Sequence, residues 1–76
     1  MLANITFAVQ VNGHVSNRLS KTLEMSEDLF NSLLQAVYRR TGDAENWVKV
    51  NLFGLVTEQL GQIGSWSAVG VEITRR

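Results

Sequence analysis

The sequence predicts an α+β fold, in which one helix packs on an antiparallel sheet in the order β-β-α-β-β. Residues 4–11 and 66–74 alternate between apolar and polar side chains, as half-buried strands do. Residues 27–41 instead repeat apolar side chains at helical spacing. The chain has 76 residues, 45% hydrophobic and 18% charged, which is the composition of one globular domain spanning residues 1–76.

The first two strands are predicted to form a hairpin around Asn12-Gly13, a pair that favours a tight turn. The apolar side chains on both sides of this turn are odd-numbered: Ile5, Phe7, Val9, Val11, Val15, Leu19 and Leu23. Partners across an antiparallel pair share a face, so odd-numbered residues must oppose odd-numbered ones. A three-residue loop that begins at Val11 achieves this by pairing Val9 with Val15. Such a loop requires a positive φ at Gly13.

Residues 27–41 carry the start and stop signals of a helix. Ser26 precedes them as an N-cap, and two acidic residues follow at the positive end of the helix dipole. One face of the segment is apolar: Leu29, Phe30, Leu33, Leu34, Val37 and Tyr38. Arg39 and Arg40 lie at the negative end, and Gly42 is a typical stop. This helix is expected to pack its apolar face on the sheet.

Residues 43–61 are compatible with a strand or with a second helix. Side chains that favour strands are frequent there: Trp47, Val48, Val50, Phe53, Val56 and Thr57. A helix would begin at Asp43, end at Gly61 and bury a different set: Val48, Leu52, Leu55, Val56 and Leu60. Because β-branched residues and the interior Gly54 lower helix propensity, we favour the strand, with Val48, Val50 and Leu52 facing the core.

The last strand is predicted over residues 66–74, after a loop at 61–65. Its inward side chains would be Val69, Val71 and Ile73, and its outward ones Ala68, Gly70, Glu72 and Thr74. This pattern places Trp47 and Trp66 on the outer face of the sheet. Exposed tryptophans and arginines are frequent at protein interfaces, so Trp47, Trp66, Arg39 and Arg40 are candidate partner-contact residues.

Composition excludes several classes of protein. The chain has no Cys, which removes disulfides, thiolate catalysis and zinc knuckles, and which fits a reducing compartment such as the cytoplasm. Seven basic and seven acidic residues cancel, unlike the charge of a strongly basic nucleic-acid binder. No apolar run could span a membrane, and no signal peptide is evident. Because the chain begins with Met and carries no tag, we expect a complete small gene product.

No pattern in the sequence indicates catalysis. His14 is the only histidine, and the acidic residues lack the spacing of a metal-binding loop. Residues 61–64 match the GXXG pattern of KH domains, but their middle pair is not basic, so a plain turn is favoured. We therefore expect no enzymatic activity, no cofactor and no metal.

Residues 18–60 resemble a ribbon–helix–helix DNA-binding domain. The similarity rests on a short strand at 18–23, a helix that ends near Thr41-Gly42, and a possible second helix. In that family, alternate strand side chains of a dimer enter the major groove. The resemblance implies that Arg18, Ser20 and Thr22 would contact DNA.

A protein-binding module is the favoured functional class. A small chain without a catalytic constellation is suited to act sterically, as an inhibitor or adaptor on a larger protein, as small proteins encoded by mobile elements do. A small sheet also has two free edges, which favours a homodimer. DNA binding is the alternative, and no membrane partner is expected.

Overall fold

The computed structural model describes the backbone of residues 1–76 and every side chain except that of Ser16. Five elements follow one another: β1 (Leu2–Val11), β2 (His14–Glu24), α1 (Glu27–Tyr38), α2 (Gly42–Leu60) and β3 (Ser67–Arg75). The strands form one antiparallel sheet in the order β2-β1-β3. The predicted α+β class is confirmed, with two helices and three strands.

Residues 43–61 are helical, so the favoured strand interpretation is wrong and the alternative is right. Along α2, the side chains of Ala44, Val48, Leu52 and Val56 recur every fourth residue and are all buried. This stripe packs on the sheet, and its burial outweighs the low helix propensity of the β-branched residues and of Gly54. Tertiary packing, and not local preference, determines the structure of this segment.

Helix α1 begins where the cap signal predicts and ends three residues earlier than expected. The Leu29 amide donates to the Ser26 hydroxyl at 3.1 Å. At the other end Arg40 has a φ of 56°, and the amide of Thr41 donates to the carbonyl of Ala36 at 3.0 Å. These features define a Schellman-type C-cap with an arginine in the position usually held by glycine. Gly42 does not stop α1, because it is the first residue of α2.

The hairpin keeps its apolar residues on one face by a different device from the predicted loop. Val11 pairs with His14, so the loop contains only Asn12 and Gly13. Both have positive φ, 50° and 79°, which confirms the expectation for Gly13 and is typical of the tight hairpin turn. The predicted three-residue loop is wrong.

A bulge within β2 does what the predicted third loop residue would have done: it adds one residue to one side of the hairpin. Gln10 pairs with Val15 and Val9 with Asn17, so the register shifts by one residue between them. Odd-numbered residues oppose each other beyond this bulge, as the apolar pattern requires. The predicted pairing of Val9 with Val15 is wrong, and Val15 lies exposed on the sheet face away from the helices.

A second bulge interrupts β3. Thr6 pairs with Glu72 and Ala8 with Val69, which leaves two residues of β3 opposite one of β1. Gly70 provides the bulge with a φ of 58°. The side chains before the bulge are therefore inverted relative to the prediction, because Ala68 is buried and Val69 faces outward.

The core lies between the two helices and one face of the sheet. Its buried residues are Ala3, Ile5, Phe7, Val9, Leu19, Met25, Phe30, Leu33, Val48, Leu52, Val56, Trp66, Ala68 and Ile73. None of the described side chains in this interior is polar or charged. No helix is long and apolar enough to cross a bilayer within the described structure.

Candidate protein-binding groove

The two tryptophans lie on the helix side of the sheet, so their predicted position on the outer face is wrong. Trp66 is only 7% exposed, and its ring stacks on that of Phe53 with centroids 6.2 Å apart. The Lys49 ammonium lies 5.3 Å from the same ring centroid. Trp47 is half-buried on α2 and packs against the core. Because residues 43–61 form helix α2 and not a strand, they cover one face of the sheet and help to bury both tryptophans.

The two arginines occupy a different place. Arg39 and Arg40 are exposed at the junction of α1 and α2. Arg40 lines a groove of about 780 Å³, while the tryptophans do not. The structure thus does not bring the four predicted contact residues together on one surface.

The groove lies between the helix junction and β3, and we call it the β3 groove. Its wall on the helix side consists of residues 36–38 and 40–41 of α1 and the junction, with residues 44–45 of α2. The opposite wall is residues 68–72 of β3, including the bulge at Gly70. Because β3 is the last strand of the sheet, one of its edges carries no neighbouring strand.

Tyr38 stands at the mouth of the β3 groove and is 88% exposed. The sequence places it in the apolar stripe of α1, and the structure corrects this. Glu27, Leu34 and Tyr38 are separated by seven and four residues, so they share one face of α1 next to the buried stripe. The signal in the sequence is this offset: Tyr38 belongs to the edge of the stripe and not to its centre.

An ion pair fixes the start of α1 to the end of β3. The Arg75 guanidinium donates two hydrogen bonds to the Glu27 carboxylate, at 2.7 and 2.9 Å, and lies 5.2 Å from the centroid of the Phe30 ring. These hydrogen bonds hold the pKa of Glu27 below its ordinary value and raise the pKa of Arg75. The face of α1 that includes Tyr38 therefore runs alongside β3.

Polar side chains on the outer face of the sheet bond to one another. Thr22 donates to the Asn4 side-chain carbonyl at 2.6 Å, and the Thr6 and Ser20 hydroxyls are 3.0 Å apart. The Arg18 guanidinium lies 3.6 Å from the Glu72 carboxylate.

This face holds the three residues that the ribbon–helix–helix resemblance assigns to DNA. Arg18, Ser20 and Thr22 lie together there, and the second helix that the family requires is present as α2. However, β2 pairs with β1 of the same chain, whereas the family pairs this strand between two protomers. The arginine is also matched by a carboxylate.

Other chemical candidates stay apart. Among the described residues, no three His, Asp or Glu side chains form a group that could hold a metal ion. His14 is exposed at the hairpin turn. The GXXG-like segment begins at Gly61, where α2 ends, and is followed by β3. It therefore does not connect two helices, as the GXXG loop of a KH domain does.

No protein-family model, no curated protein and no solved structure matches this chain.

Proposed function

We propose that this chain is a small non-enzymatic protein-binding module that occupies the surface of a larger protein, as an inhibitor or adaptor. The β3 groove is its contact surface. The observation that carries this proposal is Tyr38, which lines the groove together with Arg40. Its large aromatic ring is 88% exposed and is not buried by any part of the fold. Tyrosine and arginine are among the side chains that contribute most to interfaces. The proposed action is steric and takes place in the cytoplasm.

Self-association forms a second part of the proposal. Two large apolar side chains of α2 remain exposed: Val50, 78% exposed and opposite the buried stripe, and Phe53, 50% exposed and stacked on Trp66. A surface helix normally bears polar side chains at exposed positions. A homodimer would cover these two residues and leave the β3 groove available to a different protein.

DNA binding by the outer face of the sheet is the alternative function. The strand–helix–helix order of β2, α1 and α2 supports it, while the zero net charge does not. We expect no sequence-specific shift of duplex DNA at physiological salt. A shift that is lost in the Arg18→Ala, Ser20→Ala double variant would favour this alternative over protein binding.

The direct test of the proposed function is affinity capture from the native host with quantitative mass spectrometry. The wild type is compared with the Tyr38→Ala, Arg40→Ala double variant. The His14→Ala, Lys21→Ala double variant is the matched control, since it also removes one ring and one cation, both exposed and remote from the groove.

The expected result is a protein captured by the wild type and the control and lost from the groove variant. A partner retained equally by all three chains would contradict the groove as contact surface. Circular dichroism of the variants separates loss of binding from loss of folding.

A further inference from the structure

We propose that the partner binds as an added β-strand along the free edge of β3. The bound segment is extended, turns an apolar side chain toward α1, and places Lys or Arg opposite Glu72. This inference rests on the proposed function and specifies its mode of binding and the chemistry of the partner.

The two edges of the sheet differ in their protection. On β2, Lys21 pairs with Ile5, whose side chain is in the core, so Lys21 points to the helix side of the edge and is exposed there. An inward-pointing lysine on an edge strand opposes the addition of another strand. On β3, the helix-side residues Val71 and Ile73 are apolar, and the next one, Arg75, is bound to Glu27 of α1. The edge of β3 beside Val71 and Ile73 therefore offers an apolar side to an incoming strand, without an unpaired charge such as Lys21.

The alternation of hydrogen bonds along β3 determines which of its backbone groups face the free edge and can bind an added strand. The Arg76 amide donates to the Leu2 carbonyl at 3.1 Å, so these two residues form a hydrogen-bonded pair. Such pairs alternate along an antiparallel ladder, and Ile73, opposite Ile5, is therefore in a non-hydrogen-bonded pair. Its backbone N–H and C=O groups point away from β1, toward the position of an added strand.

The length of regular edge limits the segment. On the N-terminal side of Glu72, the bulge at Gly70 interrupts the one-to-one pairing of β3 with β1. At the C-terminal end of β3, the Arg75 side chain is hydrogen-bonded to Glu27. A few residues around Ile73 remain for regular pairing. This suits a short extended segment better than a long strand, and such segments gain affinity from main-chain hydrogen bonds and specificity from alternate side-chain pockets.

Charge complementarity indicates which side chains the segment carries. Three charged residues line the β3 groove: Glu45 and Glu72 are acidic, and Arg40 is basic. Glu72 lies on the sheet face away from the helices, and its Arg18 contact is long and exposed. We therefore expect Lys or Arg at the position of the bound segment opposite Glu72. The adjacent residues of the segment point to the helix side, where they would contact Val71 and Tyr38, and we expect them to be apolar.

The test uses two peptides of about six residues, one alternating valine with lysine and one alternating valine with glutamate. Binding to the full chain is followed by amide chemical shifts and by hydrogen exchange. The lysine peptide is expected to bind roughly twofold to fivefold more tightly, the range for an exposed ion pair. Exchange of the Ile73 amide is expected to slow upon binding.

Two variants sharpen this test. Glu72→Lys is expected to reverse the preference between the peptides, while Glu58→Lys, a matched charge reversal on the exposed side of α2, leaves it unchanged. N-methylation of every second peptide amide is expected to abolish binding in one phase and spare it in the other, because an added strand uses alternate amides.

Two results would overturn strand addition: absence of binding by either peptide, or binding that both N-methylated forms retain. Equal binding of the two charged peptides would overturn the assigned partner chemistry. None of these results affects partner capture through Tyr38 and Arg40, so failure of the inference and failure of the proposed function remain distinguishable.

Discussion

Arg40 combines an unfavourable backbone conformation with a place in the β3 groove. Its φ of 56° is in the left-handed region, which costs an L-residue about 1–2 kcal/mol relative to the right-handed one. Glycine is the usual residue at this helix position. Under the proposed function, the side chain of Arg40 contributes to binding in the groove while its backbone lowers the stability of the fold.

The Arg40→Gly variant tests this trade-off. We expect the free energy of unfolding to rise by about 1 kcal/mol, measured by urea denaturation, because glycine has no Cβ to strain. Partner capture should weaken at the same time. A variant that is destabilised, or that binds as well as the wild type, would show that the arginine has no such dual role.

Trp66 is a core residue, and its substitution should affect folding. Trp66→Ala is expected to lower the free energy of unfolding by about 3–5 kcal/mol, since a large buried ring is removed. Phe53→Ala, which removes the half-exposed ring stacked on it, is expected to cost less. An intact melting temperature for Trp66→Ala would mean that the indole is not packed in the interior.

At the scale of elements, the sequence predicts α1 well and α2 poorly. Ser26 and the apolar stripe are local signals, and both are observed at α1. In α2, Val50 lies opposite the buried stripe and Phe53 lies between the two, so apolar residues surround the helix and the periodicity is obscured. The bulges at residues 15–17 and at Gly70 depend on pairing across the sheet and have no local signature beyond glycine.

The joint between α1 and β3 is expected to make stability depend on pH. The folded-state pKa of Glu27 is lowered by the hydrogen bonds from Arg75, so the contribution is present above the unfolded pKa and is lost as pH falls through the folded pKa. Melting temperatures between about pH 7 and about pH 3 should fall less for Glu27→Gln than for the wild type. Identical pH profiles would mean that the ion pair does not stabilise this joint.

At the scale of the whole molecule, the candidate site could be predicted only in part. Arg39 and Arg40 follow from the helix end, and they do lie at the exposed junction. The β3 groove itself is formed by α2, by the position of β3 at the edge of the sheet and by the bulge at Gly70. The sequence offers α2 only as the less favoured alternative and predicts neither the strand order nor the bulge. The offset of Tyr38 from the centre of the apolar stripe is visible in the sequence, but its exposure follows only from the position of α1 on the sheet.

Site-specific photocrosslinking in the native host can show whether a protein partner occupies the β3 groove. A photoreactive phenylalanine derivative replaces Tyr38 in the groove, Thr22 on the outer sheet face, or Val50 on the outer side of α2. If a partner binds in the groove, position 38 is expected to give a discrete adduct with another protein and position 22 none with that protein, while position 50 reports self-association. An adduct with the same partner from position 22 alone, or nucleic acid from that position, would contradict the β3 groove as the binding surface.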